Sequence, residues 1–139
     1  MSTPSGERDI LDICNMNHQI SKIKSIQFDI ICVYRSSDSG KINQINFLKD
    51  LNSLIHVNRK TFVLGDFNFN ALSPEKNLIL KELGNWDFIQ MVKKPTHFQG
   101  GLIDHCYKSD NISTQSFSLN QKSVYYTDHD VNELIVTNI

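Results

Sequence analysis

The chain has 139 residues, 40% of them hydrophobic and 21% charged, a composition that suits one folded domain and is too short for two. A formal net charge of −1 excludes a global basic field for DNA or anionic membranes, so nucleic-acid contact would need a local patch. No apolar run approaches the roughly 18 residues of a membrane helix, and the start, MSTPSGERDI, reads as neither a signal nor a typical transit peptide.

Residues 1 to about 9 are polar, contain Pro4 and Gly6, and are expected to fray. From Ile10 to Ile26, Ile and Leu scatter among polar residues with no clear period. The run from Phe28 to Tyr34 is rich in β-branched residues and apolar enough for a central strand. Loop chemistry follows at Ser36-Ser37-Asp38-Ser39-Gly40. Ile45, Leu48, Leu51 and Ile55, with Leu54, recur at helical spacing and predict a helix from Asn43 to about Val57. Thr61 to Leu64 is a short apolar strand. Ser73-Pro74-Glu75 reads as a helix start with proline in the first turn. That helix runs through Leu78, Leu80 and Leu83 to near Gly84. Short strands are predicted at Asp87 to Val92, Leu102 to about Tyr107, Gln115 to Leu119 and Val131 to Val136, with a break at Gly100-Gly101. This alternation points to a layered α/β domain.

The stretch TFVLGDFNFN, Thr61 to Asn70, carries the first chemical signal. In an extended chain alternate side chains share a face, so Asp66, Asn68 and Asn70 should oppose Phe67 and Phe69. Buried phenylalanines would then hold the polar set at a sheet rim, where α/β proteins place ligands. Gly65 permits an unusual turn just before the acid. The plain alternative is a turn in which Asp and Asn bond their own backbone.

Three further segments bear on that choice. Cys32-Val33-Tyr34-Arg35-Ser36-Ser37 ends a strand in a tyrosine and an arginine, both phosphate-binding groups. Gly101-Leu102-Ile103-Asp104-His105-Cys106-Tyr107 sets a carboxylate inside an apolar strand, where it needs a partner. Asp104 should point away from His105, so that partner comes from elsewhere. Tyr125-Tyr126-Thr127-Asp128-His129-Asp130 supplies it: Asp104 can orient His129 and raise its pKa, favouring an imidazolium beside a phosphate. Three cysteines, Cys14, Cys32 and Cys106, are odd in number and widely spread, which favours reduced thiols inside the cell, in nucleus or cytoplasm.

Taken in order, VYR, LGDFN, PTHFQGGLIDH and YYTDHD resemble the endonuclease/exonuclease/phosphatase superfamily, and most of all the endonuclease domain of non-LTR retrotransposons and related mobile elements. The resemblance covers about Phe28 to Val136. It implies a four-layer α/β/β/α sandwich with mostly antiparallel sheets and Mg²⁺-dependent cleavage of phosphate esters, DNA being the ancestral substrate. It implies that Asp66 positions or deprotonates the attacking water and that Asn68 holds the phosphate or the nucleophile. Tyr34 would contact the phosphate. Asp128 would lie near the metal, and His129, oriented by Asp104, would bind the scissile phosphate. Asn70, Arg35, His105 and Asp130 are neighbours to which the family gives no firm role, Arg35 and Asn70 being expected to bind substrate; apart from the resemblance, Lys93 and Lys94 beside Pro95 could touch a nucleic-acid backbone.

The family's first half, with its metal-binding glutamate, has no counterpart in a matching context; Glu7 stands in a polar leader. Residues 1–27 are therefore expected to be a poorly defined leader and 28–139 the C-terminal half of such a domain, weakly active or inactive alone. Half a sandwich would leave a sheet uncovered, inviting self-association or a partner. The competing readings are a non-catalytic interaction module on the same scaffold, and a relative acting on a phosphate ester other than DNA. A zinc site from His97, His105, Cys106 and His129 matches no ordinary zinc spacing.

Overall fold

A computed structural model describes residues 10–36, 40–72, 77–97, 100–123 and 127–137. The expected fraying of residues 1–9 and the helix start at Ser73-Pro74-Glu75 lie outside these.

The chain opens with a hairpin, β1 (Ile10–Cys14) and β2 (His18–Lys24), and continues into β3 (Phe28–Arg35). Helix α1 (Lys41–Leu54) carries it across to β4 (Lys60–Asp66), and α2 (Leu78–Asn85), β5 (Phe88–Gln90) and β6 (Asp104–Ser109) follow. A 3₁₀ turn at Thr114–Ser116 leads to β7 (Phe117–Lys122) and β8 (Val131–Val136). One sheet has the order β1-β2-β3-β4-β6-β5 and the other is the β7-β8 pair. Among the described strands only β3 and β4 run parallel, joined by the α1 crossover.

The segment read as a leader without period is thus partly a hairpin belonging to the main sheet. Its alternation was hidden because the core-facing row of β2 contains polar side chains. His18, Ile20 and Lys22 are all buried there. His18 lies 2.8 Å from Asp50 of α1, and the Lys22 ammonium donates to the Leu54 carbonyl at 2.7 Å. These partners make burial of the two bases affordable.

Both helices cover one face of the large sheet. Ile31 and Val33 of β3, Val63 of β4 and Tyr107 of β6 meet Phe47, Leu48 and Leu51 of α1 and Ile79 and Leu83 of α2. The buried stripe of α1 is Gln44, Phe47, Leu48, Leu51 and Leu54, one position round from the expected stripe, and Ile45 is 47% exposed. The described helix α2 starts at Leu78, where the Asn77 side chain caps the backbone N–H groups of Ile79 and Leu80. The β7-β8 pair packs on the opposite face. Phe117 meets Phe62 edge-on at 5.5 Å, and Leu119 and Leu134 pack on Leu102 and Cys106. Helices, large sheet and small sheet form successive layers, part of the expected α/β/β/α sandwich with mostly antiparallel strands.

Candidate active site

The site forms where the C-terminal ends of β3 and β4 meet the N-terminal end of β6. Tyr34 pairs with Asp66 across β3-β4, and Asp66 pairs with Asp104 across β4-β6. Laterally paired residues share a face, so the three side chains form a row on the face away from the helices. Tyr34 is 53% exposed there.

Gly65 makes the approach to this row possible. Its φ is +144°, and a Cβ on it would stand 1.9 Å from the Val33 carbonyl oxygen. Beyond Asp66 the chain does not stay extended. Asn68 adopts φ 54°, and the Asp66 carboxylate accepts from its backbone N–H at 3.0 Å. The turn reading and the rim reading are therefore both partly right: a local Asx turn delivers the alternation. Phe67 and Phe69 are buried, while Asp66, Asn68 and Asn70 remain half-buried.

His105 locks the two loops together from below. Its ring stacks on Phe67 with centroids 4.8 Å apart. Nε2 faces the Phe69 and Leu102 carbonyls at 3.1 and 2.9 Å, so it must carry the proton and donate to both. Nδ1 is then the acceptor for the Tyr107 hydroxyl at 2.9 Å. Burial pushes this imidazole down to about 4, in keeping with a neutral ring satisfied at both nitrogens.

Across the row, His129 Nδ1 lies 2.8 Å from Asp104 Oδ2, the pairing expected from strand alternation. This hydrogen bond is the main cause that raises the His129 pKa. The carboxyl of Asp66 is also raised, first by burial and then by the charge of Asp104. Asp104 is held in turn. The Thr96 hydroxyl accepts from the Ile103 and Asp104 backbone N–H groups, and Asn132 donates to the Asp104 carbonyl at 3.1 Å.

His97 enters the site although the phosphate-ester reading gave it no role. It forms an isolated β-bridge with His129, fastened by the Asp130 N–H donating to the Thr96 carbonyl at 2.6 Å. Its Nε2 lies 3.1 Å from Asp128 Oδ2, and its ring meets that of His129 edge-on at 5.1 Å. Its signal was present in Pro-Thr-His, but a single histidine in a loop says nothing of what it will face.

Two expected residues belong to the scaffold instead. Arg35 is only 3% exposed; its guanidinium donates to the Phe67 carbonyl at 2.9 Å and lies over the Phe47 ring. Alternation explains the reversal: the strand turns Tyr34 outward and so must turn Arg35 inward. Asn70 uses its side-chain oxygen as a clamp, accepting from the backbone N–H groups of Leu72 and Leu102. Asn68 is anchored by donating to the Arg35 carbonyl, which uses one of its two amide hydrogens. The zinc set does not assemble, because His105 and Cys106 fall on opposite faces of β6.

Among the described residues two groups could hold a metal ion: Asp66 with Asp104 and His129, and His97 with Asp128 and His129. Neither described glutamate, Glu82 or Glu133, belongs to them. The first group fits a hard cation such as Mg²⁺, because two half-buried carboxylates that repel each other gain by sharing one. Asp128, expected near a metal, belongs to the second group and sits between two imidazoles.

No family profile matches the chain, and no curated protein matches it. Solved structures do. The endonuclease domain of TRAS1, a telomere-specific non-LTR retrotransposon, superposes with a TM-score of 0.69 at 13% identity over 96% of this chain and 69% of that one. The cytolethal distending toxin of Haemophilus ducreyi gives 0.62 at 16% identity, covering 98% of this chain and 60% of the other. A 3′ phosphatase from Neisseria, solved with a product DNA hairpin, gives 0.60 at 15% identity, covering 86% and 65%. Another match is described as an endonuclease/exonuclease/phosphatase from Beutenbergia cavernae. The fold is that of the endonuclease/exonuclease/phosphatase superfamily, and the chain spans 60 to 69% of the length of the first three.

Proposed function

We propose that this chain carries the phosphodiester-cleaving centre of a nuclease-like phosphoesterase, with DNA as substrate, and that it turns over slowly alone. The observation that carries the reading is the convergence of Asp66, Asp104 and His129 at one sheet end, with Asp104 hydrogen-bonded to His129 at 2.8 Å. The retrotransposon endonuclease and the DNA-bound 3′ phosphatase of the same fold support DNA as substrate.

The chemistry divides among the residues by charge. Asp66, its pKa raised by burial and by Asp104, is a better proton acceptor than an ordinary surface carboxylate and takes a proton from the attacking water. His129, kept protonated by Asp104, presents Nε2–H to a phosphate oxygen and stabilises the charge that builds there. Asn68 offers its remaining amide hydrogen, and the exposed Tyr34 its hydroxyl, from the neighbouring strand end. A divalent cation bound by Asp66 and Asp104 would neutralise phosphate charge. Slow turnover is proposed because, among the described residues, neither ligand group includes a glutamate.

The test is substrate choice. A DNA oligonucleotide, an RNA oligonucleotide and a phosphate monoester are incubated with the chain and Mg²⁺ over long times. The reading expects products from DNA first. Cleavage of the monoester alone would move the substrate to another phosphate ester on the same site.

A second reading is an interaction module, with its partner on the sheet face that β7-β8 leave open. Cys32 and Tyr34 of β3 are exposed on that face. Under it, sedimentation would show self-association of the chain, and substitutions at Asp66 would change nothing.

A further inference from the structure

We propose that His97, Asp128 and His129 form a binding site for one borderline divalent transition-metal ion, zinc foremost, distinct from the carboxylate pair that suits Mg²⁺.

The ligand atoms converge before any ion is considered. His97 Nε2 is 3.1 Å from Asp128 Oδ2, and His129 Nε2 is 3.9 Å from Asp128 Oδ1. All three groups offer atoms within 4.8 Å of one another. Two ligands held tetrahedrally at zinc, each about 2.0 Å from the metal, stand about 3.3 Å apart. The two observed separations bracket that value. The 3.9 Å contact is also too long for a hydrogen bond, so His129 Nε2 and Asp128 do not satisfy each other directly.

The surroundings are those of a metal-ligating histidine. His129 donates Nδ1–H to Asp104, which fixes the tautomer, aims Nε2 at the group and raises its basicity. The β-bridge between His97 and His129 fixes the two rings relative to each other at 5.1 Å. Imidazole nitrogens favour zinc, cobalt or nickel over Mg²⁺. With three protein ligands and Asp128 half exposed, a fourth position stays open to water. An ion there occupies the nitrogen that the hydrolytic reading gives to phosphate, so zinc would compete with substrate. That consequence rests on the hydrolytic reading; the binding does not.

The test is calorimetric titration of the metal-stripped full chain with zinc chloride, without nucleic acid. The expected result is one saturable site that excess Mg²⁺ does not displace. His97→Gln and Asp128→Asn should each weaken it at least tenfold, and Asp104→Asn, which removes the partner that orients the His129 ring, by about 10- to 100-fold. Circular dichroism identifies a variant that fails to fold, in which case the other variants decide. Absence of a saturable site, or unchanged affinity in folded His97→Gln, as expected if the thiols of Cys14 or Cys32 hold the metal, overturns the proposal. Either failure leaves DNA cleavage untouched, because no substrate is present.

Discussion

Asp104 and His129 are 25 residues apart in sequence, yet Asp104 Oδ2 and His129 Nδ1 meet at 2.8 Å. The contact joins the start of β6 to the turn before β8 and so connects the two sheets at the site. It also sets the charge of the imidazole. In Asp104→Asn the main cause of the raised pKa is gone, so the His129 value should fall toward 6.5. An NMR pH titration of the His129 ring checks this. Hydrolysis should drop by about 100-fold in the same variant.

Activity should be bell-shaped in pH. It needs Asp66 ionised and His129 protonated. Both pKa values are raised from their ordinary 3.8 and 6.5. The alkaline limb should therefore lie above pH 6.5, while a cation bound at Asp66 would offset the rise on the acid side. A rate–pH profile for wild type and Asp104→Asn should show the alkaline limb moving to lower pH as His129 loses its partner, with the acid limb moving the same way because Asp66 loses a neighbouring charge.

Stability should fall on mild acidification because of His105. Its folded pKa is about 4 and its ordinary value 6.5, so the unfolded chain takes up a proton first. The neutral-ring contribution is complete above pH 6.5 and is lost as pH falls toward 4. Over that window it amounts to about 3 kcal/mol. Urea denaturation at a series of pH values measures it, and the slope should flatten in His105→Gln.

Gly65→Ala should be among the most damaging single changes. A Cβ would lie 1.9 Å from backbone at Val33, and the φ of +144° is one that alanine rarely adopts. A cost of about 3 kcal/mol or more is expected from strain and overpacking together. Thermal unfolding of the purified variant reads it directly.

Asp66→Asn should behave in the opposite sense. Burial and Asp104 both penalise the charged carboxylate, so removing the charge should raise the melting temperature while activity falls. A melting temperature clearly below wild type would show that Asp66 is structural.

Much of this architecture was legible in the sequence wherever a physical period was unbroken. The β-branched run at β3 and the apolar run at β4 declared themselves. Alternation along β6 was enough to turn Asp104 away from His105 and toward a distant partner. The hairpin β1-β2 was hidden because its buried row includes His18 and Lys22, whose partners on α1 no local pattern reveals. Tyr34 and Arg35 were read by residue type, whereas strand parity decides which one meets solvent. His97 was visible as part of a motif and in a four-residue zinc set that does not assemble; its contact with Asp128 was not, because Asp128 and His129 reach it through a bridge between distant loops.

The most direct test of the central claim is nicking of supercoiled plasmid DNA by the full chain with Mg²⁺. Slow nicking is expected, far below the ordinary enzyme range of about 1–10³ s⁻¹, and it should fall by at least about 100-fold in both Asp66→Asn and His129→Gln. Nicking that persists undiminished in those two variants would contradict the claim.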